Sequence, residues 1–140
     1  MYFKGNVLEF IGIFIFTIKS KNTMEEYLIL MRLDLLTKDA QPSPEQMQEY
    51  MKQYHHWVNS IVMEGKFAGG KGLSTEGKVL KSNNVVTDGP YAETKESLAG
   101  FIVIRAESFE DAVRLAGQCP ILNGEGNSVE VRKIVSVHEQ

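Results

Sequence analysis

The spacing of apolar positions changes several times along the chain, and each change marks an element. Residues 25–33 (EEYLILMRL) are rich in strand formers and apolar at nearly every position, which predicts a strand with both faces covered. Two prolines follow within residues 38–44. There Ser43-Pro44-Glu45-Gln46 reads as a helix start: Ser43 as N-cap, Pro44 at the first helical position, Gln46 completing a capping box. Met47, Tyr50, Met51, Tyr54, Trp57, Val58, Ile61 and Val62 then recur at steps of three and four, an apolar stripe on a helix that ends near Gly65.

Beyond that helix, residues 66–70 suggest a short strand. Residues 78–80 and 85–87 suggest one or two more around a turn rich in Gly, Ser and Asn. Residues 98–105 (LAGFIVIR) form another strand that is apolar on both faces. Ser108 caps a second helix with Glu110 and Asp111 in its first turn, where the helix dipole favours acids. Phe109, Ala112, Val113 and Ala116 are its stripe, and it ends by residues 117–120 because proline cannot continue it. Residues 128–137 alternate as a half-buried strand. The order β-α-β-β-α-β, with an extra hairpin in the middle, is an α+β split βαβ arrangement: an antiparallel sheet with both helices on one face.

That arrangement leaves one sheet face without helices, yet the strands do not alternate apolar with polar. Tyr27, Ile29, Met31 and Leu33 fill one face of the first strand while Leu28 and Leu30 begin the other. Phe101 and Val103 oppose Ile102 and Ile104 in the same way. A soluble chain rarely leaves such a patch in water, so a cover is expected. It is either a second copy packed sheet to sheet about a two-fold axis or the apolar segment that precedes Met24.

That segment differs from the rest. Residues 10–18 (FIGIFIFTI) carry no charge and lie between Lys4 and the pair Lys19 and Lys21. The run is shorter than the ~20 residues a spanning helix needs, so no membrane role follows. A basic start and an apolar middle also fit a secretory signal, but no small-x-small cleavage site follows. Fourteen of the first 23 residues are Phe, Ile, Lys, Asn or Tyr, as expected of upstream sequence translated from a start codon set too early. On that reading residues 1–23 are a leader outside the native domain, which runs from 24 to 140.

Composition narrows the function. With 140 residues the chain is long enough for one domain with its own core, without disulfide or metal staples. Cys119 is its single cysteine, which fits a reducing, cytoplasmic setting. The formal charge is −3, with the 15 basic residues scattered rather than striped, which argues against nucleic acid as a partner. Gly72 to Lys78 spells G-x-x-x-x-G-K, but Val79 stands where a hydroxyl must hold magnesium, and the segment reads as a strand rather than a helix start. It is taken as a turn region. His55 and His56 are adjacent, so they point to different helix faces, and no metal site or cofactor is expected.

The segment with the most chemistry is Asp88-Gly89-Pro90-Tyr91-Ala92-Glu93-Thr94-Lys95-Glu96. Proline rigidifies the turn, and Asp88 can accept bonds from nearby amides, which holds its carboxylate in one orientation. Four charged groups, Asp88, Glu93, Lys95 and Glu96, fall on one expected loop, where sites concentrate. The alternative is an Asx-type turn that caps a strand end.

This stretch (DGPYAETKE), followed by Gly100-Phe101, resembles the signature of the DGPF branch of the YCII-related family, whose usual form has Phe where this chain has Tyr91. Phe67-Ala68-Gly69-Gly70, Leu73, Val86-Thr87 and residues 126–134 extend the resemblance, which covers residues 24 to 134. It implies a ferredoxin-like domain pairing into a dimeric α/β barrel, a fold shared with small monooxygenases, muconolactone isomerases and dehalogenating relatives. Many members carry a His on the first helix, thought to pair with an Asp in the pocket. Here Tyr54 occupies that place and His55 follows, at the border of the stripe. Asp88 and His55 are therefore the candidate proton carriers, with Tyr54, Tyr91, Glu93 and Lys95 as substrate contacts. One function is a cofactor-independent acid/base enzyme acting on a small organic acid or lactone. The other is a non-catalytic ligand-binding or regulatory dimer.

Overall fold

A computed structural model describes residues 23–35, 37, 39, 41–89 and 97–136. The expected leader, apart from Thr23, lies outside the described residues, as do Tyr91, Glu93 and Lys95. Among the described residues the elements run β1 (Glu25–Leu33), α1 (Pro44–Met63), β2 (Phe67–Gly72), β3 (Gly77–Lys81), β4 (Val85–Gly89), β5 (Ser97–Ala106), α2 (Phe109–Ala116) and β6 (Ser128–Lys133). The fold is α+β. One antiparallel sheet has the order β2-β5-β1-β6, and β3 with β4 forms a separate two-stranded hairpin.

Local chemistry sets the helix boundaries. The Ser43 hydroxyl accepts from the Gln46 amide at 3.2 Å, and the Gln46 side chain accepts from the Ser43 amide at 2.8 Å, which closes the capping box before Pro44. At α2, Ser108 accepts from the Asp111 amide at 3.0 Å. Both N-terminal signals read from the sequence are present.

The core lies between the helices and one sheet face. Tyr27, Ile29, Met31, Ile102 and Ile104 meet Trp57 and Ile61 from α1 and Ala112, Leu115 and Ala116 from α2. Trp57 is buried, and its Nε1–H donates to the Leu115 carbonyl at 2.9 Å, so the largest core side chain also joins the two helices. Cys119 is buried in the same cluster, and burial pushes its thiol up to about 11.

Two expectations need correction. Met47, Met51 and Val62 are exposed, because Tyr50, Tyr54, Trp57 and Ile61 are the positions that face the sheet and the other three turn aside. Phe109 and Val113 are likewise exposed, although the Phe109 ring packs edge-on against Tyr27 at 5.8 Å, and Leu115 takes the core position instead. On the other face of the sheet, Leu28, Leu30, Leu98, Phe101 and Val103 alternate with the core positions, face away from them and are half-buried within one copy of the chain.

An ion network ties α1 and α2 to the start of β2. Lys66 donates to Asp111 at 2.8 Å, and Arg114 donates to both Asp111 and Glu64 at 2.8 Å. Burial alone would raise the Asp111 pKa. The hydrogen bonds from Lys66, Arg114 and the Glu107 amide outweigh it and hold the carboxyl at about 2. Gly70 is fixed by sterics, since a Cβ there would lie 2.6 Å from both the Phe101 carbonyl oxygen and the Ile102 side chain.

Candidate functional site

The signature begins inside the hairpin. Asp88 belongs to β4 and stands opposite Lys78 of β3, so it is a strand residue rather than the loop residue the sequence suggested. Its carboxylate pairs with the Lys78 ammonium across the strands, and 87% of the side chain is exposed. A side-chain cation, not a cluster of backbone amides, is thus the partner this structure gives it. The same register places Lys78 in a strand, which agrees with rejecting a phosphate loop.

A depression of about 310 Å³ lies where the hairpin meets the start of β5. Lys78, Val79 and Gly89 line it from the hairpin, Leu98 from β5, and Leu73 and Ser74 from the link after β2. Gly89, within the signature, and Leu98, two residues beyond its end, both line it. Leu73 is anchored by its amide, which donates to the Ala99 carbonyl at 2.8 Å.

His55 lies elsewhere. It is exposed on α1 and borders a wider depression of about 680 Å³, shared with Gln53, His56, Gln118, Pro120 and Asn123. The two depressions have no lining residue in common. Both histidines reach the same rim, so adjacency on the helix separates them less than the 100° step suggested. Tyr54 sits between the rings of Tyr50 (6.2 Å) and Trp57 (5.7 Å) and packs against the core. Burial, with the nearby Cys119 adding to it, raises the Tyr54 phenol, and the same causes raise Tyr50. Both phenols stay protonated at neutral pH and act as hydrogen-bonding groups. Among the described residues no three His, Cys, Asp or Glu side chains stand close enough to hold a metal ion, and no helix is long and apolar enough to cross a membrane.

Sequence reasoning missed two groups. Lys78 was read only as part of a failed phosphate loop, and its pairing with Asp88 depends on a hairpin register that the polar turn did not fix. Ser97, directly after the signature, is buried, and its hydroxyl has no hydrogen-bond partner among the described residues. A serine beginning a strand carries no signal of that kind.

The antiparallel sheet with its two helices and the signature-end depression describe a small α+β domain with a hollow at one sheet end. The family model for the YCII-related domain matches residues 31–137, and the chain belongs to that family. It is also similar to an uncharacterized protein of Rhizobium meliloti (strain 1021), 42% identical over 50 residues. That match covers 36% of this chain and 40% of the relative's length.

Proposed function

We propose that this YCII-related domain is a homodimeric, non-catalytic module that binds a small carboxylic acid at the signature end of its sheet. In this reading Lys78 and Lys95 meet the acid's carboxylate, Asp88 orients Lys78 by pairing with it, and Tyr91 donates from its phenol. One observation carries it: Gly89 and Leu98, on either side of the signature's remaining residues, line the same depression as Lys78. Lys78 there and Lys95 within the signature are the cations a carboxylate would recognise.

The order β2-β5-β1-β6, antiparallel throughout, supports a ferredoxin-like arrangement. The half-buried row Leu28, Leu30, Leu98, Phe101 and Val103 supports a second copy packed sheet to sheet, as in a dimeric α/β barrel. The domain proper runs from Met24, and the buried lone thiol of Cys119 supports a cytoplasmic setting. Light scattering on the chain begun at Met24 returns a dimer on this reading; a folded monomer at micromolar concentration overturns it.

The competing reading is a cofactor-independent enzyme in which Asp88 or His55 moves a proton on a small organic acid or lactone. The separate depressions weigh against the two acting together, since two proton carriers serving one substrate must share a cavity. Thermal shift with acetate, malonate, succinate and γ-butyrolactone tests both readings. The wild type gains melting temperature with at least one acid. Lys78→Gln loses that gain with little change in its unliganded melting point, because exposed ion pairs contribute only ~0–1 kcal/mol. A ligand response that survives Lys78→Gln refutes the binding reading. Turnover of a probe that His55→Ala abolishes and His56→Ala spares would establish the enzyme instead.

A further inference from the structure

We infer that the hairpin of β3 and β4 is an arm that clasps a second copy of this chain, a contact that rests on the homodimer proposed above. Among the described residues its strands bond to each other and not to the four-stranded sheet, and only Val79 and Gly89 are even half-buried. A two-stranded hairpin on its own is marginal in water. This one nonetheless has a definite shape. Asn83 and Asn84, both at positive φ, turn the chain, and the register sets Lys78 opposite Asp88 and Leu80 opposite Val86. The Leu80 and Val86 pair is 75% and 57% exposed. Apolar cross-strand pairs stabilise a sheet when they are covered, and within the described protomer these two are not.

The hairpin's position selects the cover. Val79 and Gly89 line one depression with Leu98, and Leu98 belongs to the half-buried row on the helix-free face of the sheet. The hairpin therefore joins the fold on that face, at one end of the row. Strand alternation puts Leu80 and Val86 on the hairpin side opposite Val79, so the exposed pair lies beyond the depression. Each strand has five residues, which carries the tip roughly 15 Å from the base. A second copy packed on the row about a two-fold axis comes within reach of an arm of that length. Area points the same way: five half-buried side chains cannot supply the roughly 800 Å² that a standard interface takes from each copy. The hairpin adds exposed apolar surface continuous with the row through Val79 and Leu98. Two-fold symmetry makes the contact reciprocal, so each copy gives one arm and receives the other.

Sedimentation over a dilution series from micromolar to nanomolar, with far-UV circular dichroism as the check on folding, compares four proteins. They are the wild type, Leu80→Glu with Val86→Glu, the milder Leu80→Ala with Val86→Ala, and Met63→Glu as a control. Met63 is 87% exposed at the end of α1, on the helix side of the sheet. The wild type and the control dimerise alike. The double Glu variant keeps its circular dichroism and raises the dimer dissociation constant about a hundredfold or more, and the double Ala variant raises it about tenfold. A double Glu variant with the wild-type dissociation constant overturns the arm but leaves the homodimer standing. A double Glu variant that loses its secondary structure overturns the arm too, because the hairpin would then support its own protomer. So does a control weakened as much as the double Glu variant. A wild type that is a folded monomer overturns both the arm and the homodimer.

Discussion

Replacing Asp111 by Asn changes a charge and almost nothing else, which makes it a direct probe of how the helices are locked to the sheet. Only 14% of the Asp111 side chain is exposed, and the Lys66 side chain it accepts from is 11% exposed. The carboxyl is held at about 2 against an ordinary 3.8. At ~1.4 kcal/mol per pKa unit, that difference corresponds to roughly 2 kcal/mol of stability at neutral pH. The folded pKa lies below the unfolded one, so this contribution is complete above about pH 4 and is lost as pH falls through about 2. Asp111→Asn also leaves Lys66, among the described residues, with the longer Glu64 contact at 3.6 Å as its ion pair, which places the expected loss nearer ~3 than ~2 kcal/mol, at the low end of the range for breaking a buried pair. Urea unfolding of both proteins between pH 7 and pH 2 measures this. The gap should be about 2–3 kcal/mol at neutral pH and shrink as the wild-type carboxyl takes up its proton. A gap below ~0.5 kcal/mol at pH 7, or one of constant size down to pH 2, would refute the assignment of the network as the source of that stability.

Other consequences are simpler to read. Gly70→Ala forces a Cβ to within 2.6 Å of the Phe101 carbonyl oxygen, which cannot swing away, so it should cost about 1–3 kcal/mol in urea unfolding; a neutral substitution would show that β2 can shift against β5. Trp57→Phe removes the donor to the Leu115 carbonyl and should cost about 1–3 kcal/mol, with an unchanged midpoint contradicting the bond's role in joining the helices. The Cys119 thiol, 2% exposed and raised to about 11 by burial, should react with a disulfide reagent at pH 8 only as fast as the chain opens, and immediate stoichiometric reaction of the native protein would contradict its place in the core.

Elements whose signals are local were legible in the sequence. Ser43 with Gln46 and Ser108 with Asp111 are caps that close within one turn, and Trp57 falls on a stripe that any packing against a sheet would bury. The stripe's width was not legible. Methionines and valines at three- and four-residue steps mark a face without saying how much of it the sheet covers, so Met47, Met51 and Val62 share the stripe although they are exposed. The Lys66–Asp111 pair joins residues 45 apart, and nothing near either one announces the other.

At the site the same division holds. The signature's chemistry could be read directly, but the hairpin register that pairs Asp88 with Lys78 and a bulge at the start of β5 that buries Ser97 are choices of the backbone. A polar turn at residues 82–84, with Asn83 and Asn84 both at positive φ, does not reveal in advance which residues end up opposite one another.

Where a small acid binds can be read amide by amide. Nitrogen-15-labelled protein titrated with malonate should show its largest shifts at Gly77, Lys78, Val79, Gly89 and Leu98, around the depression at the signature end. Shifts confined to His55, His56 and Asn123, along the other depression, or no shifts at all, would contradict the proposed site.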